Sequence, residues 1–362
     1  MATGAVVVGR RPLGRRSVAW ASAVAFLAGL ATTGCVRYRL LERGPQAHYQ
    51  TASPVNDVSG QLEEAFRAVK RILVTGVYDH YRFSPETAPL EGDSLGDAVF
   101  ALAVDTFRSS NSRGASAVQI ASTTRGVTLV TNNHAVSFPD TVVQYADEVW
   151  TGHAKARGRR PIAEISVKRN QYNLVQERMT SQPFEILARD ASSDLALLGA
   201  AYPTDAEVSP VPVLSVRAGD SDRLSWGSFV YVLGYPGGYP MVTRGIVSDP
   251  RGQTTSSFLI DGLWNEGISG GPILAVRGDD GSLEWVGIAR AAAGKTEPRL
   301  VPDPEALQDP ERRLVYEGRI YLEDVQQILY GISFAVPLNT IRAFIDRNRD
   351  DLRHRGWAPS GF

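Results

Sequence analysis

Few residues in this chain have both the type and the setting to do chemistry. Ser269 sits in Asn265-Glu266-Gly267-Ile268-Ser269-Gly270-Gly271-Pro272, a glycine-rich bend that runs into the apolar Ile273-Leu274-Ala275-Val276. A serine hydroxyl becomes an effective nucleophile when a base takes its proton and backbone N–H groups face the oxyanion that forms. Gly267, two residues earlier, can take backbone angles that other residues avoid, so its N–H and that of Ser269 can converge on one point. A phosphate loop fits less well: the run lacks a Gly-Lys-Ser/Thr ending and leads into a strand instead of a helix.

A base for such a serine is available upstream. His134 ends the apolar run Val127-Thr128-Leu129-Val130, where Asn132-Asn133 turns polar and leaves the imidazole on a rim. His48 lies in a polar N-terminal stretch and His354 in a charged C-terminal one, so neither competes well. Asp194 stands directly before the apolar Leu195-Ala196-Leu197-Leu198. A carboxylate at the mouth of a core strand costs desolvation unless a donor pairs with it, and a histidine N–H would fill that need. Asp190 is the rival, but it sits farther from the apolar run and reads as a turn residue. The order is His134, Asp194, Ser269, with separations of about 60 and about 75 residues, which suits a cleft between two barrels. No pair of histidines has zinc-ligand spacing and no Cys/His cluster occurs, so neither a metal nor a cofactor is expected.

The frame that positions these groups reads as β-rich. From about Asp97, short apolar runs such as "AVFALAVDTF", "SAVQIAS", "VTLVTNN", "DLALLGA", "SFVYVLGY", "PILAV" and "GISFAVP" are bounded by Gly, Pro, Asp, Asn or Ser. Many short strands at this spacing predict an all-β sandwich or barrel. No GxGxxG on a strand-to-helix turn and no alternating βαβ rhythm occurs, which disfavours a doubly wound sheet. "GQLEEAFRAVKRILV" carries apolar residues near helical spacing and predicts an N-terminal helix. "PLNTIRAFIDRNRDDLRHRGW" predicts a C-terminal one, with Ile341, Phe344 and Ile345 on one face.

Composition narrows the partners. The chain has 362 residues, 43% of them hydrophobic, with 38 basic and 39 acidic side chains. That apolar share can build a real core, and the charge balance offers no field to draw the protein to nucleic acid. The start pairs arginines, Arg10-Arg11 and Arg15-Arg16, ahead of the uncharged "SVAWASAVAFLAGLA". A basic region, a short apolar region and small residues describe a secretory signal over residues 1–35, too short for a comfortable membrane span. "LATTGC" resembles the lipobox of bacterial lipoproteins, which implies lipidation of Cys35 and a membrane-anchored protein of the bacterial envelope, facing the periplasm or the exterior. Cys35 is the single cysteine, so no intramolecular disulfide can form. Residues 36–60 read as a polar tether, 61–96 as the helix with a loop extension, and 97–355 as the folded domain.

The motifs carry a resemblance. "TNNHAV", "SSDLALL" and "GISGGPIL" resemble the histidine, aspartate and nucleophile motifs of the trypsin-like serine peptidases, in particular of the HtrA/Deg branch, and "LGYPGGYPMVTRGIVSD" and "GISFAVPLNTI" are similar to further segments of that branch. The likeness runs from about Asp97 to Ile345. It implies a two-barrel chymotrypsin-like fold and a serine endopeptidase acting on polypeptides of the envelope or on misfolded proteins. His134 would be the base, Asp194 its orienter, Ser269 the nucleophile, and the N–H groups of Gly267 and Ser269 the oxyanion donors. Leu263 and Trp264 stand where the family's primary pocket begins, and Arg290 and Ala291 fall in the segment that pairs with a substrate strand. The sequence departs from the branch in three ways. No PDZ-like segment follows the C-terminal helix, so trimer assembly and peptide-triggered activation are not carried over. Ile268 replaces a smaller or polar residue before the serine, and residues 296–330 form a long insertion. The last two departures leave a second reading open, a pseudoprotease that binds extended peptides without cutting them.

Overall fold

Val69–Arg82 (β1) alternates its side chains, with Ile72, Val74 and Tyr78 buried along one face. β-Branched and aromatic residues at that spacing fit a half-buried pleat. The computed structural model describes residues 48–146, 158–176, 180–202, 212–252, 257–302 and 320–358. In it β1 belongs to an eight-stranded sheet with Asp105–Ser122 (β2), Gly126–Thr131 (β3), Thr141–Tyr145 (β4), Ile162–Gln176 (β5), Ser181–Pro183 (β6), Glu185–Asp190 (β7) and Leu195–Ala201 (β8). The order is β4-β5-β1-β2-β3-β8-β7, with β6 on β5, and the pairings β1–β2, β1–β5, β2–β3 and β3–β8 are all antiparallel.

The second sheet has seven strands: Arg217–Ala218 (β9), Phe229–Gly234 (β10), Met241–Asp249 (β11), Phe258–Asp261 (β12), Pro272–Val276 (β13), Leu283–Pro302 (β14) and Ile320–Pro337 (β15). Its path β13-β10-β11-β12-β15-β14 returns on itself, because β13 also pairs with β14. The architecture is therefore all-β and chymotrypsin-like, one half-barrel and one closed barrel. Ser59–Arg67 (α1) precedes them, Asp97–Phe100 (α2) and Asn133–Val136 (α3) are single turns, and Leu338–His354 (α4) follows.

Both faces of β8 are covered, which is why its sequence is continuously apolar instead of alternating. Ala196 and Leu198 fill the first sheet with Ile72, Val74 and Leu129. Leu195 and Leu197 face the other way, into a shared core with Leu233, Leu274 and Trp285 of the second sheet and Ile341 and Phe344 of α4. Val230, Val232, Phe258 and Ile273 fill the closed barrel. The shared core sets the two sheets and α4 against one another and so fixes the cleft.

Three boundaries differ from the sequence expectation. The 61–96 segment is not helix and loop alone: α1 ends at Arg67 and β1 follows, because the period-two burial of Ile72, Val74 and Tyr78 overrides a helical continuation. "AVFALAVDTF" is not one strand, since α2 occupies Asp97–Phe100 and β2 starts at Asp105. The tether expected over 36–60 is fastened from Tyr49 onward, while residues 36–47 lie outside the described residues. Tyr49 is buried, its hydroxyl donates to Glu284 Oε2 at 3.0 Å, and the N–H of Gln50 donates to Val276 O at 2.8 Å. Of the segment 296–330, the described residues 296–302 and 320–330 continue β14 and β15 as a two-stranded ribbon, with Ala293–Pro302 paired to Ile320–Leu329.

Candidate active site

β3 and β8 pair directly, Thr131 opposite Ala196, and this brings the turn after β3 to the turn before β8. The turn of α3 holds His134, and its Nδ1 lies 2.8 Å from Asp194 Oδ2. The backbone N–H of His134 donates to the other oxygen, Oδ1, at 2.9 Å. One carboxylate thus holds both the ring and the main chain of the same histidine. A proton on Nδ1 leaves Nε2 as the acceptor, the tautomer a general base needs. Asp194 has φ of 55°, a left-handed conformation that aspartate tolerates better than most residues. Two bonds clamp it there: Asn132 Nδ2 and Asn133 N each donate to its carbonyl at 3.1 Å.

Burial pushes the Asp194 carboxyl up, but the His134 side chain, the His134 N–H and the Arg290 guanidinium outweigh it and hold the group below the usual carboxylate range. Asp190 faces elsewhere. It caps its own turn, accepting from Ser192 N at 2.9 Å and Ser192 Oγ at 2.6 Å, and it reaches Arg347 of α4 at 2.8 Å.

The second barrel supplies Ser269. Gly267 has φ of 98°, and a Cβ there would stand 2.3 Å from Tyr235 O, so only glycine fits. The carbonyl of Glu266 accepts from Gly237 N at 2.7 Å. A trans peptide sets N–H opposite C=O, so the Gly267 N–H points away from that turn. Across the bend, Ile268 N donates to Asn265 O, Gly270 N to Ala289 O and Gly271 N to Ile268 O. The N–H groups of Gly267 and Ser269 have no acceptor among the described residues and are the ones left for an oxyanion. Ile268 is 3% exposed and packs in the closed barrel's core, and it also forms part of the cleft wall beside Gly267 and Ser269.

The sequence reading missed the residue that ties the halves together. Ser116 on β2 donates its Oγ to Gly267 O at 2.7 Å and accepts from Tyr235 N at 2.9 Å, and its own N–H donates to Ser269 O at 2.8 Å. A buried serine among the alanines of "GASAVQI" was the available signal, because a buried hydroxyl needs partners.

His134, Gly267, Ser269, Trp264 and Arg290 line one cleft of about 560 Å³, a size suited to a few side chains of a ligand. Trp264 is 2% exposed and forms part of the wall from inside the barrel core. Leu263 does not belong there: it is 67% exposed and lies outside the lining, because neighbours on an extended segment point to opposite sides. The Ala291 side chain and Cys35 lie outside the described residues. Arg290 has a double role that the sequence did not reveal. Its carbonyl accepts from Ser269 Oγ at 2.8 Å, and its Nε lies 3.2 Å from Asp194 Oδ2, the oxygen that His134 also uses.

Residues 115–288 match the family described as the trypsin-like peptidase domain. No curated protein matches the chain. Among solved structures it is similar to an HtrA-type protease, AlgW, with a decapeptide, at 19% identity and a TM-score of 0.41, over 80% of this chain and 68% of that one.

Proposed function

We propose that the protein is a serine endopeptidase in which Ser269 attacks a peptide carbonyl, a reading supported by the match of residues 115–288 to the trypsin-like peptidase domain. The observation that carries this reading is the pairing of His134 Nδ1 with Asp194 Oδ2 at 2.8 Å in the same cleft as Ser269. His134 Nε2 takes the hydroxyl proton and later gives it to the leaving amine, while Asp194 stabilises the imidazolium. The tetrahedral oxyanion is held by the N–H groups of Gly267 and Ser269, and water then hydrolyses the acyl-enzyme.

A substrate strand has a place to dock. Ala289 is the last residue of this β14 edge with backbone bonds to the nucleophile loop, and beyond it the edge opposite β15 has no strand pairing among the described residues, while Arg290 O faces the nucleophile. A substrate N–H that bonds Arg290 O displaces the serine hydroxyl from it, and the hydroxyl is then free to turn to His134. By the lipobox-like "LATTGC", the enzyme is tethered through Cys35 to the bacterial envelope and acts there on envelope or misfolded proteins. Incubation with casein tests the reading. Ser269→Ala is expected to lower turnover by on the order of 10⁶-fold, and cleavage that survives it removes the assignment.

The Ser269–Arg290 bond favours a second reading, since in it the hydroxyl donates away from the histidine. In this reading the protein is a pseudoprotease that binds extended peptides on the β14 edge. Casein binding without fragments in the wild type would select it.

A further inference from the structure

The cleft is lined by three arginines and one carboxylate, Glu266. Two of the arginines are committed. Arg290 bonds Asp194, and Arg113 donates to His134 O at 2.9 Å and Ser137 O at 3.1 Å while covering the Phe138 ring at 4.5 Å. Arg71 on β1 is the exception: it has no hydrogen-bond or ion-pair partner among the described residues, and its Nε is buried without an acceptor. A buried donor without an acceptor is costly, and an acceptor brought from outside would satisfy it.

Its seat is built. Gly238 has φ of 85°, and a Cβ on it would stand 2.9 Å from Arg71 Cζ, so the guanidinium lies flat against the glycine backbone. The neighbouring Gly237 N–H holds Glu266 O at 2.7 Å, which links this seat to the loop that carries Gly267 and Ser269. On the far side of Arg71 lies a second hollow, about 1320 Å³, between α1 and the β1–β5 edge. Arg71, Tyr235 and Gly238 line both spaces, so a chain leaving the cleft on this side passes the guanidinium. Gln176, opposite Arg71 in the β1–β5 register, also faces the hollow and has a buried Oε1 without a partner.

The polarity of the substrate follows from the proposed function, on which this inference rests. The acyl half of the substrate lies along β14, at the end of the cleft lined by Ala292, Gly294 and Ile328. The leaving half must run out at the opposite end, past Arg71. We propose that Arg71 is a specificity-determining residue that selects a carboxylate on the leaving side of the cleaved bond. A planar guanidinium takes a carboxylate through two parallel N–H bonds, a geometry that neither a neutral amide nor an ammonium reproduces. The carboxylate has two sources, an Asp or Glu side chain or the C-terminus of the substrate.

Internally quenched peptides that differ only in the residues after the cleaved bond test this. Peptides carrying Glu there are expected to exceed their Gln counterparts in kcat/KM by about tenfold and their Lys counterparts by more. Arg71→Gln should abolish the ranking and Arg71→Glu should invert it towards Lys. Free-acid and amide forms of a peptide truncated just past the bond separate the C-terminus from a side chain. Equal Glu and Gln rates in the wild type together with equal free-acid and amide rates, or an unchanged ranking in Arg71→Gln, would overturn the inference. If the wild type cleaves nothing, the proposed function fails on its own, and Arg71 is read by fluorescence anisotropy on full-length Ser269→Ala. Acidic peptides must then bind more tightly to it than to the Ser269→Ala/Arg71→Gln double variant, and equal affinity rejects the role.

Discussion

The two barrels hold their reactive groups by different means. In the first, open sheet, side chains grip backbone: Asn132 and the N–H of Asn133 clamp the Asp194 carbonyl, and the Asp194 carboxylate clamps His134 at both ring and main chain. In the second, closed barrel, the backbone arranges itself through Gly267 in a left-handed conformation, and Ile268 anchors the bend in the core. A base must keep one tautomer and titrate, which suits a hydrogen-bonded side-chain cluster. An oxyanion site must present N–H dipoles that do not titrate, which suits a stiff glycine turn. Ser116 is the joint, a first-sheet residue whose bonds all go to the second barrel's loops apart from its carbonyl, which accepts from Thr131 Oγ1 at 2.7 Å.

The contrast can be broken from either side. Asp194→Asn attacks the first barrel's cluster, and loss of the correct tautomer is expected to cost about 10⁴-fold in kcat; a loss under tenfold would show that the cluster is only structural. Gly267→Ala attacks the second, and with a Cβ meeting Tyr235 O it is expected to cost about 10²–10³-fold in kcat with KM changed far less. Ser116→Ala severs the joint. Rate should fall by about 10–100-fold in both acylation and deacylation, as read by single-turnover kinetics, because the loop shifts as a unit.

A smaller effect separates fold from site. Trp357 is 1% exposed, packs over Gly199 on β8, and accepts from Thr128 Oγ1 at 2.6 Å. Trp357→Ala should destabilise by about 3–5 kcal/mol in denaturant melts while the rate per folded molecule holds. The smallest effect is on pH dependence. Asp194 has its folded pKa depressed, so its contribution to stability is present above the unfolded value of about 3.9 and is lost as pH falls through the lower folded value. The gap in Tm between wild type and Asp194→Asn should therefore narrow in acid below about pH 4. A gap constant across that range would mean the carboxylate is not paired as described.

The same contrast decides what the sequence made legible. Glycine and proline leave compositional marks, so the bend at Gly267–Pro272 can be read residue by residue, and "DLALL" marks an apolar core strand. Clamps made by single side chains leave almost no mark. In sequence Asn132 is an ordinary strand end, Ser116 is one more small residue, and Arg290 belongs to the segment expected to pair with a substrate strand, with nothing to tie it to Asp194. Their roles depend on pairings that cross 62, 151 and 96 positions of the chain, to Asp194, Gly267 and Asp194 respectively. β1 was hidden for a different reason. The apolar residues that give it period-two burial follow a helical run with no Gly or Pro at the junction Arg67-Ala68-Val69, so the periodicity of one element blurred into the next.

The central claim is that the two barrels deliver a base and a nucleophile to one cleft. Intact-mass spectrometry of the purified protein after treatment with a fluorophosphonate tests it most directly, with peptide mapping to locate the adduct. The account predicts a single adduct, on Ser269, whose formation slows by orders of magnitude in His134→Ala. Absence of an adduct, or one on another serine together with proteolysis that persists in Ser269→Ala, would contradict it.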